Sequence, residues 1–270
     1  MFSKAMLQKF TIALFAALTI WWVSLSIGSS STSVHDNLIW AAAYQAVAIW
    51  GACWGLSMGR HWGGLKSTMG RVITFFACGL LLQAFGQTVF SVYGLFLNQP
   101  VPYPSLADIG FFGSIPLYIA ALVEIGQASG AGYSMKSMGA KAWAILLPLV
   151  GLCASYLFFL RGYVFDWTTP MKIVLDFGYP FGQAVYVSLA VLIYLLSKDF
   201  LGGIMKNKVL LIIIALITQY VADFNFLYQF SNNTWLNGGY GDYLYLLSYF
   251  LMAYALIDMG LTLDKVRQSS

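Results

Sequence analysis

Acids and amides set inside otherwise apolar runs are the residues of this sequence with chemistry to offer. Asp176 stands in MKIVLDFGYPFGQAVYV and Asp223 in LIIIALITQYVADFNF. A carboxylate among hydrocarbon needs a partner, a water-filled cavity or a role, because leaving it unpaired costs on the order of a few kcal/mol. At helical spacing Asp176, Tyr179 and Gln183 share one face, as do Gln219, Asp223 and Phe226, while Gln83 and Gln87 align on a third segment. Pro180 has no N–H, so it leaves the carbonyl of Asp176 without its usual helical partner and bends the helix. Three readings of these stripes stay open. They are polar glue between helices, a pocket reachable from outside lined by Gln87, Asp176, Tyr179, Gln183, Gln219 and Asp223, or a proton or ion path.

Asp108 and Asp242 carry a simpler expectation. Each opens a helix, where a carboxylate stabilises free N–H groups and the helix dipole, and Ser105 with Asp108 three residues later resembles a capping box. In a pocket reading the same two acids hold the outer loops shut. His35 and His61 fall in loops on opposite sides, which argues against haem held by two histidines, a Ser-His-Asp triad or a metal-ligand set. Lys172 and Lys208 lie at span ends, where a retinal protein would need a lysine in mid-membrane. Cys53, Cys78 and Cys153 all sit within apolar runs as small packing residues, with no disulfide indicated. No enzyme chemistry, cofactor or metal is expected.

The elements that position these groups are membrane helices. Of 270 residues, 60% are hydrophobic and only 9% charged, too little charge to clothe a soluble globule. Runs approach or exceed the roughly 20 residues that cross about 30 Å of hydrocarbon. The expected spans are 9–28, 38–58, 71–97, 106–126, 142–161, 171–197, 207–230 and 242–262. Asp176 and Asp223 then lie roughly 9 and 10 Å inside their outer ends at 1.5 Å per residue. Lys4, Lys9, Arg60, Lys66, Arg71, Lys136, Lys141, Lys198, Lys206, Lys208, Lys265 and Arg267 fall on one side, and only Arg161 and Lys172 on the other. That bias places both termini in the cytoplasm and agrees with an even number of crossings.

The net charge of +4 therefore reflects topology and anionic headgroups, with no nucleic-acid partner implied. The first apolar run follows Lys4 and Lys9 and is about as long as a full span, so it reads as an uncleaved anchor. The expected fold is an all-α polytopic bundle of about eight helices, one transmembrane domain over 1–270 in the cell membrane. A weak parallel four-plus-four repeat divides it into halves of about 1–135 and 136–270. Gly86-Gln87-x-x-Phe90 answers Ala222-Asp223-x-x-Phe226, and Asp108 answers Asp242.

Four motifs occur in order: PYPSLAD (Pro102 to Asp108) followed by Phe111 and Pro116, LDFGYP (Leu175 to Pro180), ADFNF (Ala222 to Phe226) and GYGDYLYLLSY (Gly239 to Tyr249). Over roughly residues 70 to 260 they resemble the eight-span N-terminal membrane domain of bacterial GGDEF-type diguanylate cyclases and related signalling proteins. The resemblance implies a sensory input domain in a bacterial inner membrane. The family's output enzyme follows the last span, whereas this sequence runs about eight residues further, so the resemblance implies output through a separate polypeptide. Gln87 and Gln183 stand where the family pattern suggests an acid, and Ile115 where an aromatic precedes the proline. The expected function is a sensory or ligand-binding module with an outward-facing polar pocket, an unidentified small ligand and a signalling or membrane-protein partner. A structural or assembly subunit is the alternative, and a small-solute transporter the third.

Overall fold

The computed structural model describes residues 4–28, 34–128, 138–197, 206–232 and 234–269. Its elements are α1 (Lys4–Ile27), α2 (Val34–Ala43), α3 (Gln45–His61), α4 (Thr68–Leu95), α5 (Leu106–Ala128), α6 (Met138–Ser155), α7 (Pro170–Ser197), α8 (Lys206–Ser231) and α9 (Tyr240–Ser269). Among the described residues no strand occurs. Backbone N–H and C=O groups in hydrocarbon must be satisfied within the segment, which helices alone do without closing a barrel.

Among the described residues seven helices are long and apolar enough to cross a membrane, α2 and α3 counting together as Val34–His61. The sequence predicts eight. The difference lies in α6, whose apolar stretch Ile145–Ala154 is shorter, contains Pro148 and gives way to a π turn at Tyr156–Leu160. The second crossing is broken at Tyr44, which still donates its backbone N–H to Trp40 at 3.1 Å. Ser67 caps α4 by accepting from Gly70 N at 3.0 Å.

Packing closes a ring: α3 lies against α4, α4 against α5, α5 against α7, α7 against α8, α8 against α9, and α9 against α3. Outside it, α1 packs on α9 and α6 on α7. Small residues let the walls approach. A Cβ at Gly110 of α5 would sit 2.4 Å from the Leu82 carbonyl oxygen, and one at Gly51 of α3 would sit 2.3 Å from Ala253 Cβ. The core is apolar and aromatic, with Trp40, Tyr44, Phe76, Tyr186 and Tyr249 fully enclosed.

The two ends differ in charge. Lys9, Arg60, Lys66, Arg71 and Lys208 fall at one end, where Arg71 forks onto Glu124 with two 2.8 Å bonds. Asp258 at this end takes Gln8 Nε2 at 2.9 Å and pairs with Lys208. Arg161 and Lys172 fall at the opposite, acidic end, with the 96–105, 161–169 and 232–239 connections. Lys136 and Lys198 lie outside the described residues, as does the 135/136 boundary between the expected halves.

Candidate functional site: carboxylates at the acidic end

Asp108 and Asp242 start α5 and α9 and are held alike. Asp108 Oδ2 accepts from Ser105 N at 2.7 Å while Ser105 Oγ accepts from Ala107 N at 3.2 Å, the reciprocal pattern of a capping box. The other oxygen of Asp108 takes the Tyr179 hydroxyl at 2.8 Å. Asp242 Oδ2 accepts from Gly238 N at 2.6 Å, and its Oδ1 takes the Tyr44 hydroxyl at 3.0 Å. Gly238 has φ of 73°, a left-handed turn that points its N–H back at the carboxylate. Asp242 is buried, and Asp108 is half-buried.

Asp176 lies among the loops. It accepts from Tyr103 at 2.9 Å and from Tyr163 at 2.7 Å, so one α7 carboxylate ties the 96–105 and 161–169 connections together. Burial and then Asp176 push both phenols upward, Tyr163 to about 12. Tyr163 continues into an aromatic cluster with Phe165, Phe177 and Trp167.

Asp223 forms a second, separate centre. Gln183 Nε2 from α7 donates to Oδ2 at 2.8 Å, Tyr245 Oη from α9 donates to Oδ1 at 2.7 Å, and Gln219 Nε2 reaches both oxygens at 3.2 Å. Ser248 extends it by donating to Gln219 Oε1 at 2.9 Å. Gln183, Gln219 and Tyr245 are buried, and Asp223 is half-buried. One α-turn beyond Gln183, the Tyr186 hydroxyl is buried without a partner, and Asn225 Nδ2 is likewise unpaired.

The structure therefore brings Gln183, Gln219 and Asp223 together, Gln219 and Asp223 from one face of α8 and Gln183 from α7. Asp176 and Tyr179 are engaged with Tyr103, Tyr163 and Asp108, and Gln87 donates to the Ala41 carbonyl at 3.0 Å, none of them bonding to the Asp223 centre. Gln83, one turn before Gln87, donates to Ser114 at 2.8 Å and accepts from Tyr249 at 3.3 Å. The phenols of Tyr44, Tyr103, Tyr163 and Tyr245 escape sequence reasoning, because tyrosine is common in membrane helices as belt and packing. Only the spacing of Tyr245 after Asp242, three residues on, carries a signal for one of these phenols.

Two apolar grooves lie elsewhere. One of about 360 Å³ runs between α6 and α7 beside Pro180, and one of about 690 Å³ lies between α1 and α3 at Phe10, Trp50 and Trp54. Among the described residues no group of three or more His, Cys, Asp or Glu could hold a metal ion. The fold and these centres define, among the described residues, an all-helical bundle of membrane-spanning type with one buried and three half-buried carboxylates gathered towards one end. Compared with family models, curated proteins and solved structures, the chain matches none.

Proposed function

We propose that this chain is a sensory or ligand-binding module of the cell membrane that takes a small ligand from the outer side and signals through a partner protein. The observation that carries this is the convergence of α7, α8 and α9 on one carboxylate, Asp223. A ligand that displaced the Gln183 or Tyr245 donor would favour a different placement of α7 against α9, which is the differential binding that a signal requires. Of the helices involved, α9 runs on beyond its apolar span, from Gly260 to Ser269, so a shift at Asp223 has a path out of the bilayer. In this proposal Asp176 and Tyr179, with Asp108 and Asp242, close the acidic end over the centre.

The proposed architecture is one transmembrane domain of eight crossings, α6 included, in two parallel halves with both termini cytoplasmic. Paired hydrogen bonds support the halves. Asp108 with Tyr179 and Ser105 N is answered by Asp242 with Tyr44 and Gly238 N, and Gln83 with Ser114 by Gln219 with Ser248. Phe90 and Phe226, equivalent in the two halves, meet edge to face at 6.4 Å, where an axis relating them would pass. The resemblance to the membrane domain of diguanylate cyclases supports the same assignment.

A second reading, an assembly subunit, is favoured by one observation: Asp108, Asp176, Asp223 and Asp242 all find donors within the bundle, as packing glue requires. The two part company in the Asp176→Leu, Asp223→Leu double variant. Crosslinking at positions 261–269 in native membranes identifies the partner, whose activity is then followed. The sensory module expects a monodisperse, folded variant with its partner's response lost. Raised stability with an unchanged response would end the proposal.

A further inference from the structure

The geometry points to a sodium-ion site at Asp223. This rests on the reading that the Asp223 centre binds a ligand, and it names that ligand's chemistry.

The starting point is charge. Both oxygens of Asp223 accept hydrogen bonds, and the Tyr245 contact at 2.7 Å has the length of a charge-assisted O–H to carboxylate bond. These are the partners of an ionised acid. Yet Gln183, Gln219 and Tyr245 are all neutral, so nothing touching the carboxylate offsets its charge.

Among the other acids at this end, Asp108 and Asp242 have a compensator that Asp223 lacks. Asp108 and Asp242 sit at the starts of α5 and α9, on the positive end of a helix dipole. Asp176, half-buried like Asp223, is held instead by two phenols of the loop connections. Asp223 is in the body of α8, and the nearer end of that helix is its carboxyl terminus at Ser231, the negative end. On the same helix Lys208 is about 22 Å away along the axis at 1.5 Å per residue and is engaged by Asp258. The titratable groups acting on Asp223 from the elements around it are phenols: Tyr44 between α2 and α3, Tyr118 of α5, Tyr179 and Tyr186 of α7, and Tyr245 and Tyr249 of α9. A carboxylate so placed in hydrocarbon calls for a mobile cation.

The surrounding atoms suit a small, hard, singly charged one. The residues that hold this carboxylate carry oxygens of their own: Tyr245 Oη touches it, Gln183 Oε1 would face it once its amide turns over, and Gln219 Oε1 and Ser248 Oγ, bonded to each other, stand next in line. Calcium takes six to eight oxygens at about 2.3–2.6 Å and usually several carboxylates, so one acid matches one positive charge better. Independently, the Tyr186 hydroxyl, 1% exposed and without any hydrogen-bond partner, stands one turn along α7 from Gln183, within electrostatic reach of Asp223. An oxygen left unmatched at that depth is what a site with an additional occupant leaves behind.

The test is thermal unfolding of the purified full chain in nanodiscs, followed by tryptophan fluorescence in sodium, potassium or choline chloride at equal ionic strength. At sodium tenfold above its dissociation constant the folded-to-unfolded ratio rises about elevenfold over choline. Asp223→Asn abolishes the sodium effect, and Glu124→Gln at the opposite end keeps it. Stability that is the same in all three salts, or that follows pH alone, overturns the site in favour of a bound proton. A sodium effect that survives Asp223→Asn overturns it as well. Should that variant not fold, binding of radioactive sodium to the unaltered chain decides: saturable binding weakened by Gln183→Leu is expected, and no saturable binding refutes the site. Signalling fails separately, on an unchanged partner response, whatever sodium does.

Discussion

Replacing Tyr44 by phenylalanine, beside the same change at Tyr179, measures how differently two similar carboxylates are held. Tyr44 is 0% exposed and donates at 3.0 Å to Asp242, itself 3% exposed. Without the hydroxyl, Oδ1 of a buried carboxylate is left unpaired, and no water can take the place. The loss then belongs in the upper part of the about 1.5–3 kcal/mol assigned to hydrogen bonds with charged groups. Tyr179 and Asp108 are both half-buried at 2.8 Å, so water replaces part of what Tyr179→Phe removes and the cost falls to about 0.5–1.5 kcal/mol. The difference, about 1.4 kcal/mol, is roughly tenfold in the unfolding constant. Equilibrium unfolding in mixed micelles, read by tryptophan fluorescence, gives both values. Asp242→Asn completes a double-mutant cycle with Tyr44→Phe. Equal costs for the two tyrosines, or a coupling between Tyr44 and Asp242 near zero, would refute the reasoning.

Other outcomes follow from single contacts. Gly110→Ala places a Cβ 2.4 Å from the Leu82 carbonyl and 2.6 Å from Gly86 N, both backbone, so α4 and α5 must separate at about 1–3 kcal/mol. Gly113→Ala, whose nearest neighbour would be 3.4 Å away, should unfold like the parent in the same micelle titration. Arg71→Lys loses the fork onto Glu124, yet with side chains 30% and 17% exposed the change should stay within about 1 kcal/mol, and a larger loss by the same titration would contradict this. Tyr163 has its ionisation raised to about 12 by burial and by Asp176. Its folded value lies above the ordinary phenol value of about 10, so its contribution is fully present below pH ~10 and is lost as pH rises towards 12. Difference ultraviolet titration of the parent against Tyr163→Phe checks this, and an ionisation near 10 would contradict it.

Much of this molecule is written along the chain. Hydrocarbon forces every backbone group to be satisfied locally, so uncharged runs such as Phe10 to Gly28 and Val209 to Ala222 become helices. Charge sorting appears in the structure as Arg71 and Lys208 at one end and Arg161 and Lys172 at the other. The Ser105–Asp108 cap and the shared faces of Gln219 with Asp223 were also legible, because both depend on contacts within one helix turn. The span expected over 142–161 was less so, since Pro148 and the π turn shorten the apolar stretch of α6 in a way that mean hydropathy does not register.

Tertiary structure alone decided which polar groups meet. Counting residues from a helix end gives depth, and by depth Asp176 and Asp223 look like neighbours; rotation about each helix and the order of helices in the ring set the rest. Those depend on close crossings such as Gly110 against Leu82 and Gly51 against Ala253, which no local pattern announces. As a result Asp176 turns to Tyr103 and Tyr163 in the loops, while Asp223 turns inward to Gln183 and Tyr245. The partners lie 13 to 73 residues away in sequence, so the direction of each carboxylate was fixed by packing between helices and not by the residues around it.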